Sequence, residues 1–393
     1  MEIGTAKIVV IIGEIVAGQS VNIIGFAESS SAGVRKGQIW NFKEVSNAVH
    51  ATIAAAEKSA QITCDIGYLA QTGRHLAGFR NFGTARVSGT DGCVSQRDVA
   101  RALEEAKRKE LGDDRVYIHH ILNPFRLDGR LERDPIGLTG HHLEAGYWSV
   151  HGNELTVRDA IRVLNHYGMD VADMIISSIA SGVMVASETD KEAGCLVLDV
   201  GCGTTDYAVY HDGYIVKTGV VSVGGDHLTN DLAMGLRINR KLAEKLKVEE
   251  GRATVDKADR KDPVWLVGDL TIGDRQIPRY AINQILHARM EELFQIIRDD
   301  LGPLGSHEQL AAGCFLTGGT ARLPGIADVG RQVLGLDVHL GEPPGWIDAS
   351  LRRPEYTTAI GLLHYALTGQ EQQTENHRPR GILRRISRMF ADA

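Results

Sequence analysis

The chain's 393 residues exceed what one ordinary hydrophobic core supports, so two or more domains are expected. A composition of 43% apolar and 24% charged residues is that of a soluble globular protein, and a net charge of −7 gives no support for nucleic-acid binding by its body. The five cysteines (Cys64, Cys93, Cys195, Cys202, Cys314) are scattered without CxxC spacing, which argues against a disulfide frame or zinc site and for reduced thiols in the cytoplasm.

No run is apolar and long enough for a membrane span, and no signal peptide is read. "MEIGTAKIVVIIGEI" opens on its turn, with Met1 alone before Glu2 where a strand belongs. The expectation is that residues of the first strand lie upstream of a wrongly chosen start. A genuine Met1 would instead leave that strand short and the sheet edge weakened. "KIVVIIGEI" and "VNIIGFAE" then read as strands, and Val45 to Ala60 as a helix with apolar residues at helical spacing. "IGYLAQTG" is a further short strand. Residues 76–152 change character, being polar and Gly-rich with one helix at Gln96 to Glu110 and a strand at "VYIHHILNPF". The adjacent pairs His119-His120 and His141-His142 point to opposite faces of a strand, so the 15 histidines do not spell a metal site. A helix at 156–167 restores the α/β rhythm, and 228–302 is largely helical and charged.

Between these lies "CLVLDVGCGTTDYAVY", Cys195 to Tyr210, two buried strand-like runs joined by a turn of Gly, Thr and carboxylates. One Gly serves a tight hairpin. Gly201-Cys202-Gly203-Thr204-Thr205 between Asp199 and Asp206 goes further: bare backbone beside hydroxyl donors suits a closely approaching anion such as a phosphate. Asp199 then sits where a magnesium ion or its water shell needs an oxygen. An ordinary polar-tipped hairpin is the alternative. Against it, "EIGTAK" (Glu2 to Lys7) echoes "DVGCGTTD" about 200 residues away, each a carboxylate, an apolar residue, Gly and Thr leading into a strand. A third turn, "LTGGTARLPG", ends a strand and starts a helix, as suits a nucleotide's sugar and α-phosphate. The three together suggest two related half-domains facing one ligand.

This arrangement resembles the actin/Hsp70/sugar-kinase superfamily. The resemblance implies an α/β, actin-like fold in which two RNase H-like domains hold ATP and Mg2+ in a cleft. Its first phosphate loop falls on Gly4, Thr5 and Lys7, its second on Gly201, Gly203, Thr204 and Thr205, and its adenosine loop on Gly318, Gly319 and Thr320. Glu2 and Asp199 would face Mg2+, through water. "AEKLKVEEG" fits the A-E-x-x-K-x-x-x-G helix that puts Glu244 on the ribose and Lys247 beside the base. Within the superfamily the chain is most similar to FtsA, the actin-like bacterial cell-division family. "EIGTAKI", the G-x-x-K-G segment Gly33 to Gly37, "GLTG", "LTGGTARLPG" and "TAIGLLHYAL" carry that likeness. It implies subdomain 1A at 1–75 and 153–190, an inserted α+β subdomain 1C at 76–152, 2A at 191–227 and 303–368, and 2B at 228–302.

After Gly369, "QEQQTENHRPR" has no aliphatic residue and reads as a flexible linker, 369–380. In 381–393, treated as a helix, Ile382, Leu383, Ile386, Met389 and Phe390 form one apolar stripe flanked by Arg384, Arg385 and Arg388. That is the pattern of an interfacial anchor facing anionic headgroups. A helix docked on a partner protein is the alternative. The family implies a peripheral protein on the cytoplasmic face of the membrane at the division site. Its partners would be the FtsZ C-terminal peptide on 2B, other divisome proteins and further copies of the chain, with no nucleic acid. On 2B, Arg279, Arg289 and Arg298 are offered to the peptide.

Actin-like ATPases orient the attacking water with a Gln or Glu on the helix before the second loop. Met174 to Ser187 contains neither, and a Ser near Ser178 takes the place, so hydrolysis is expected to be weak or absent. Cys202 stands where Gly is usual and either crowds the phosphate or points away. The competing readings are a pilus-assembly actin homologue and a sugar-kinase-like phosphotransferase. The latter lacks a visible catalytic Asp beside a polar pocket.

Overall fold

The computed structural model describes residues 1–16, 20–89, 91–266 and 275–375. The chain begins with β1 (Glu2–Ile3), β2 (Lys7–Val16), β3 (Ser20–Ser30), the small hairpin β4 (Val34–Arg35) and β5 (Gln38–Ile39), α1 (Phe42–Ala60) and β6 (Ile66–Gln71). An α+β segment follows: β7 (Ala77–Arg86), α2 (Gln96–Ala106), β8 (Arg115–Leu127), β9 (Arg130–Glu132) and β10 (His142–Asn153). Then come α3 (Glu154–Asn165), β11 (Asp170–Ile176), α4 (Ser177–Val185) and α5 (Glu188–Ala193). The second half holds β12 (Cys195–Val200), β13 (Thr205–His211), β14 (Tyr214–Val221), α6 (Gly225–Leu236), α7 (Arg240–Glu249), β15 (Pro263–Leu266), β16 (Arg275–Pro278) and α8 (Arg279–Leu301). It closes with β17 (Cys314–Thr317), α9 (Ile326–Leu334), β18 (Val338–Leu340) and α10 (Thr357–Glu375).

Two five-stranded sheets repeat one topology, β3-β2-β1-β6-β11 and β14-β13-β12-β17-β18. In each, a central strand pairs antiparallel with the hairpin strand after it and parallel with a later one. The sequence echo is therefore a structural duplication, and the carboxylates Glu2 and Asp199 occupy the same place in both copies. Each sheet has its own core: one gathers Ile8, Leu69 and Ile175, the other Leu196, Phe294 and Leu316. The α+β segment forms a separate four-stranded sheet, β7-β10-β8-β9, with α2 packed across Gly83 and Ala85. Trp148 of this segment donates from Nε1 to Thr218 Oγ1 at 2.9 Å, tying it to β14 of the second half.

Several expected boundaries move for local reasons. β1 lies at the centre of its sheet, not the edge, and is two residues long, with the Met1 amino group donating to the Tyr68 carbonyl at 2.7 Å. Asn41 and Asn153 cap α1 and α3, which start at Phe42 and Glu154 rather than at Val45 and residue 156. α2 stops at Ala106 because Lys107 to Glu110 return no apolar side chain to the sheet. The third Gly turn runs first into a single 3-10 turn, Gly319–Arg322, and Pro324 with a left-handed Gly325 delays α9 to Ile326. α10 continues to Glu375, through part of the expected linker, since Gln and Glu are good helix formers.

Candidate functional site

Both hairpins are closed by the same bond. Gly4 N–H donates to the Lys7 carbonyl at 2.9 Å, and Gly201 N–H to the Thr204 carbonyl at 2.9 Å. The two turns then meet across the interface between the halves. A Cβ on Gly203 would overlap the Thr5 hydroxyl and lie 3.0 Å from Lys36 Cα, so bare backbone is what lets them approach. The carbonyls of Gly201 and Cys202 accept from Gly225 N–H (3.0 Å) and Asp226 N–H (2.8 Å), which stacks the start of α6 on the second turn. Thr320 Oγ1 donates to the same Gly201 carbonyl at 2.9 Å, docking the third Gly turn there. Gly318, at φ 87°, packs directly on Asp199 and Val200.

These pieces enclose one cavity of about 450 Å³. Gly4, Thr5, Lys7, Gly201, Gly203, Thr204, Glu244, Lys247, Gly318, Gly319 and Thr320 all line it, as do Glu2 and Asp199. Thr205 does not: it is fully buried behind the turn, its hydroxyl spent on the Val223 carbonyl at 2.8 Å. Glu244 and Lys247 project from one face of α7 and pair at 2.7 Å, with Lys247 also reaching Thr229 Oγ1 at 2.9 Å. The serine expected near Ser178 is displaced by a residue: Ser177 lines the cavity, while Ser178 is buried away from it. Ser181, one turn on, reaches Asp199 Oδ2 at 2.5 Å, an oxygen shared with the Thr358 hydroxyl. Cys202 lines the cavity, and burial pushes its thiol up to about 11, so it is a neutral wall. Ile382, Leu383, Arg384, Arg385, Ile386, Arg388, Met389 and Phe390 lie outside the described residues.

The cavity floor is acidic. Burial, then Asp199, pushes Glu2 up to about 7 against the pull of Lys7. Asp206 rises to about 8, chiefly through burial, despite hydrogen bonds from Thr72 and Thr204. Glu2 Oε2 and Asp206 Oδ1 are buried without a protein partner. Such oxygens call for a cation. Among the described residues no three His, Cys, Asp or Glu side chains are grouped to hold a metal ion by themselves. Asp206 thus joins Glu2 in offering a free oxygen, whereas Asp199 already accepts two hydroxyls. Sequence reasoning quoted Asp206 but gave it no role. It also gave no role to Thr72, Glu355 or Thr358, although Thr358 opens the quoted stretch "TAIGLLHYAL".

Two duplicated sheets gripping a cleft by facing hairpins define the actin-like fold. Solved structures agree at that level: a PilM-PilN type IV pilus biogenesis complex matches with TM-score 0.61 at 14% identity over 93% of this chain and 97% of that one. MreB5 of Spiroplasma citri bound to ADP matches with TM-score 0.57 at 14% identity over 95% and 97%. Sequence comparison is more specific. The family model described as "Cell division protein FtsA" matches residues 196–361, and "SHS2 domain inserted in FTSA" matches 73–165. "Cell division protein FtsA" of Neisseria meningitidis is 32% identical over 384 residues, 96% of this chain and 92% of the relative. That of Escherichia coli K12 is 29% identical over 376 residues, 93% and 89%. The chain belongs to the FtsA family of cell division proteins, and the pilus protein shares its fold alone.

Proposed function

We propose that the cleft binds ATP with Mg2+, and that the nucleotide-bound chain self-assembles and tethers FtsZ filaments to the cytoplasmic face of the membrane at the division site. The observation that carries the nucleotide reading is the meeting of the two hairpins at Gly203 and Thr5 above two buried, unpartnered carboxylate oxygens. In this reading the turn N–H groups not spent within the hairpins, together with the Thr5 hydroxyl, bind phosphate oxygens, while Thr204 holds Asp206. Glu244 takes the ribose, Lys247 lies beside the base, and Glu2, Asp199 and Asp206 orient the waters of Mg2+. The ion supplies charge neutralisation of the phosphates when bound. Ser177 is too short to hold and activate a water as Gln or Glu would, so turnover is slow and ATP acts mainly as a structural ligand.

FtsZ's C-terminal peptide is assigned to the helical region 228–302. Arg279, Arg289 and Arg298 there already have partners within the chain: Asp262 and Glu250, Asp231 and Glu292, and Asp299. Any contact they make with the peptide competes with those pairs. Among the described residues no helix is long and apolar enough to cross a membrane, so the tail 381–393 carries the membrane contact in this reading. One short amphipathic helix binds weakly, and assembly multiplies it. With vesicles containing anionic lipid, the full chain is expected to co-sediment and to carry FtsZ down with it. Deleting 380–393 should abolish both while leaving ATP binding unchanged. Undiminished pelleting of the truncated chain would refute the anchor.

A further inference from the structure

The G-x-x-K-G segment has so far only marked the family, yet its tip packs against the two Gly turns where they meet, beside the residues that line the cavity. β4 and β5 pair through Arg35 and Gln38, leaving a two-residue turn, Lys36-Gly37, with φ 49° and 72°. Both positions of such a turn need the left-handed region, which suits Gly and burdens Lys. The tip is wedged in place. Gly37 N–H donates to Thr5 Oγ1 at 3.1 Å, a Cβ on Gly37 would stand 2.9 Å from Thr72 Cγ2, and Lys36 Cα packs against Gly203.

Charge gives this placement a use. The cations lining the cavity are Lys7, Lys247 and Arg322, and each is already engaged. Lys7 donates to the Glu355 carbonyl at 2.5 Å, Lys247 pairs with Glu244 at 2.7 Å, and Arg322 pairs with Glu355 at 2.9 Å. Lys36 is exposed, and no hydrogen bond or ion pair engages it among the described residues. Its charge is felt at His227, in the first turn of α6, where burial and then Lys36 hold the imidazole below its usual range. Lys36 does not itself line the cavity, but its Cα stands beside Gly203, which does, so its side chain starts where the two phosphate turns meet. A nucleotide lying with its base at α7 would bring its last phosphate under this turn.

We propose that Lys36 is the residue by which the cleft distinguishes a nucleoside triphosphate from a diphosphate, folding over the terminal phosphate and joining the two halves through it. The proposal rests on reading the cleft as a nucleotide site. Calorimetric titration of the full chain with ATP and with ADP, both with Mg2+, tests it in wild type, Lys36→Gln, Lys36→Gly and Lys36→Arg. Gly suits the turn's backbone, so it serves as the charge-free variant should Gln not fold. A charge-assisted bond to phosphate predicts that Gln and Gly lose about tenfold in ATP affinity while ADP affinity moves less than about twofold, and that Arg stays near wild type. Equal losses for both nucleotides, or none, would overturn it. Wild type binding neither nucleotide would remove the cleft reading itself, and this proposal with it.

Discussion

Gly203→Val should weaken nucleotide binding by about a few hundredfold in a chain that still folds. Gly203 is not at positive φ, so the backbone accepts Val without strain, and the effect comes from contact alone. A Cβ there would overlap the Thr5 hydroxyl and press on Lys36 Cα, forcing the two turns apart at the point where they share a ligand. The turns lie at the mouth of the cleft rather than in either core, so the sheets have no need to repack. A loss of about 3–4 kcal/mol, a few hundredfold in affinity, is expected from phosphate bonds that are no longer made together. Titration calorimetry with Mg-ATP, alongside circular dichroism, reads it. An affinity within threefold of wild type would mean that the turns do not grip one ligand.

Gly361→Leu should destabilise the chain by about 3 kcal/mol. α10 crosses α4 with Gly361 against the Ala180 carbonyl, 2.6 Å separating the site of a Cβ from its carbon and 3.2 Å from Met184 Cγ. Backbone this close leaves no room to relax. Separating the helices also disturbs Asp199, whose carboxylate is held by Ser181 of α4 and Thr358 of α10. Overpacking of this kind costs about 3 kcal/mol, which lowers a urea unfolding midpoint by about 1 M. A midpoint equal to that of wild type would contradict the close crossing.

How much of this was legible beforehand depended on whether residues carried company. The two phosphate turns were visible because several Gly and Thr residues cluster beside a carboxylate, and because the cluster occurs twice. Glu244 and Lys247 were visible as a spaced pair on one helix. Thr72, Glu355 and Thr358 were not, since only the fold brings these two separate stretches to the cavity. Thr205 lies behind the turn with its hydroxyl on the Val223 carbonyl while its neighbour Thr204 lines the cavity, a one-residue distinction that composition does not reveal. The misplacement of Ser177 by one residue has the same origin, in the phase of α4. Asp206 looked like a mere hairpin flank until burial beside Glu2 and Asp199 gave it an unpartnered oxygen.

The most direct test of the cleft is photoaffinity labelling of the full chain with 8-azido-ATP and Mg2+, followed by mass spectrometry of the digest. A purine lying between α7 and the third Gly turn should label peptides carrying Lys247 or Arg322 to Pro324, with unlabelled ATP suppressing the reaction. Labelling confined to other surfaces, or unaffected by ATP, would contradict it.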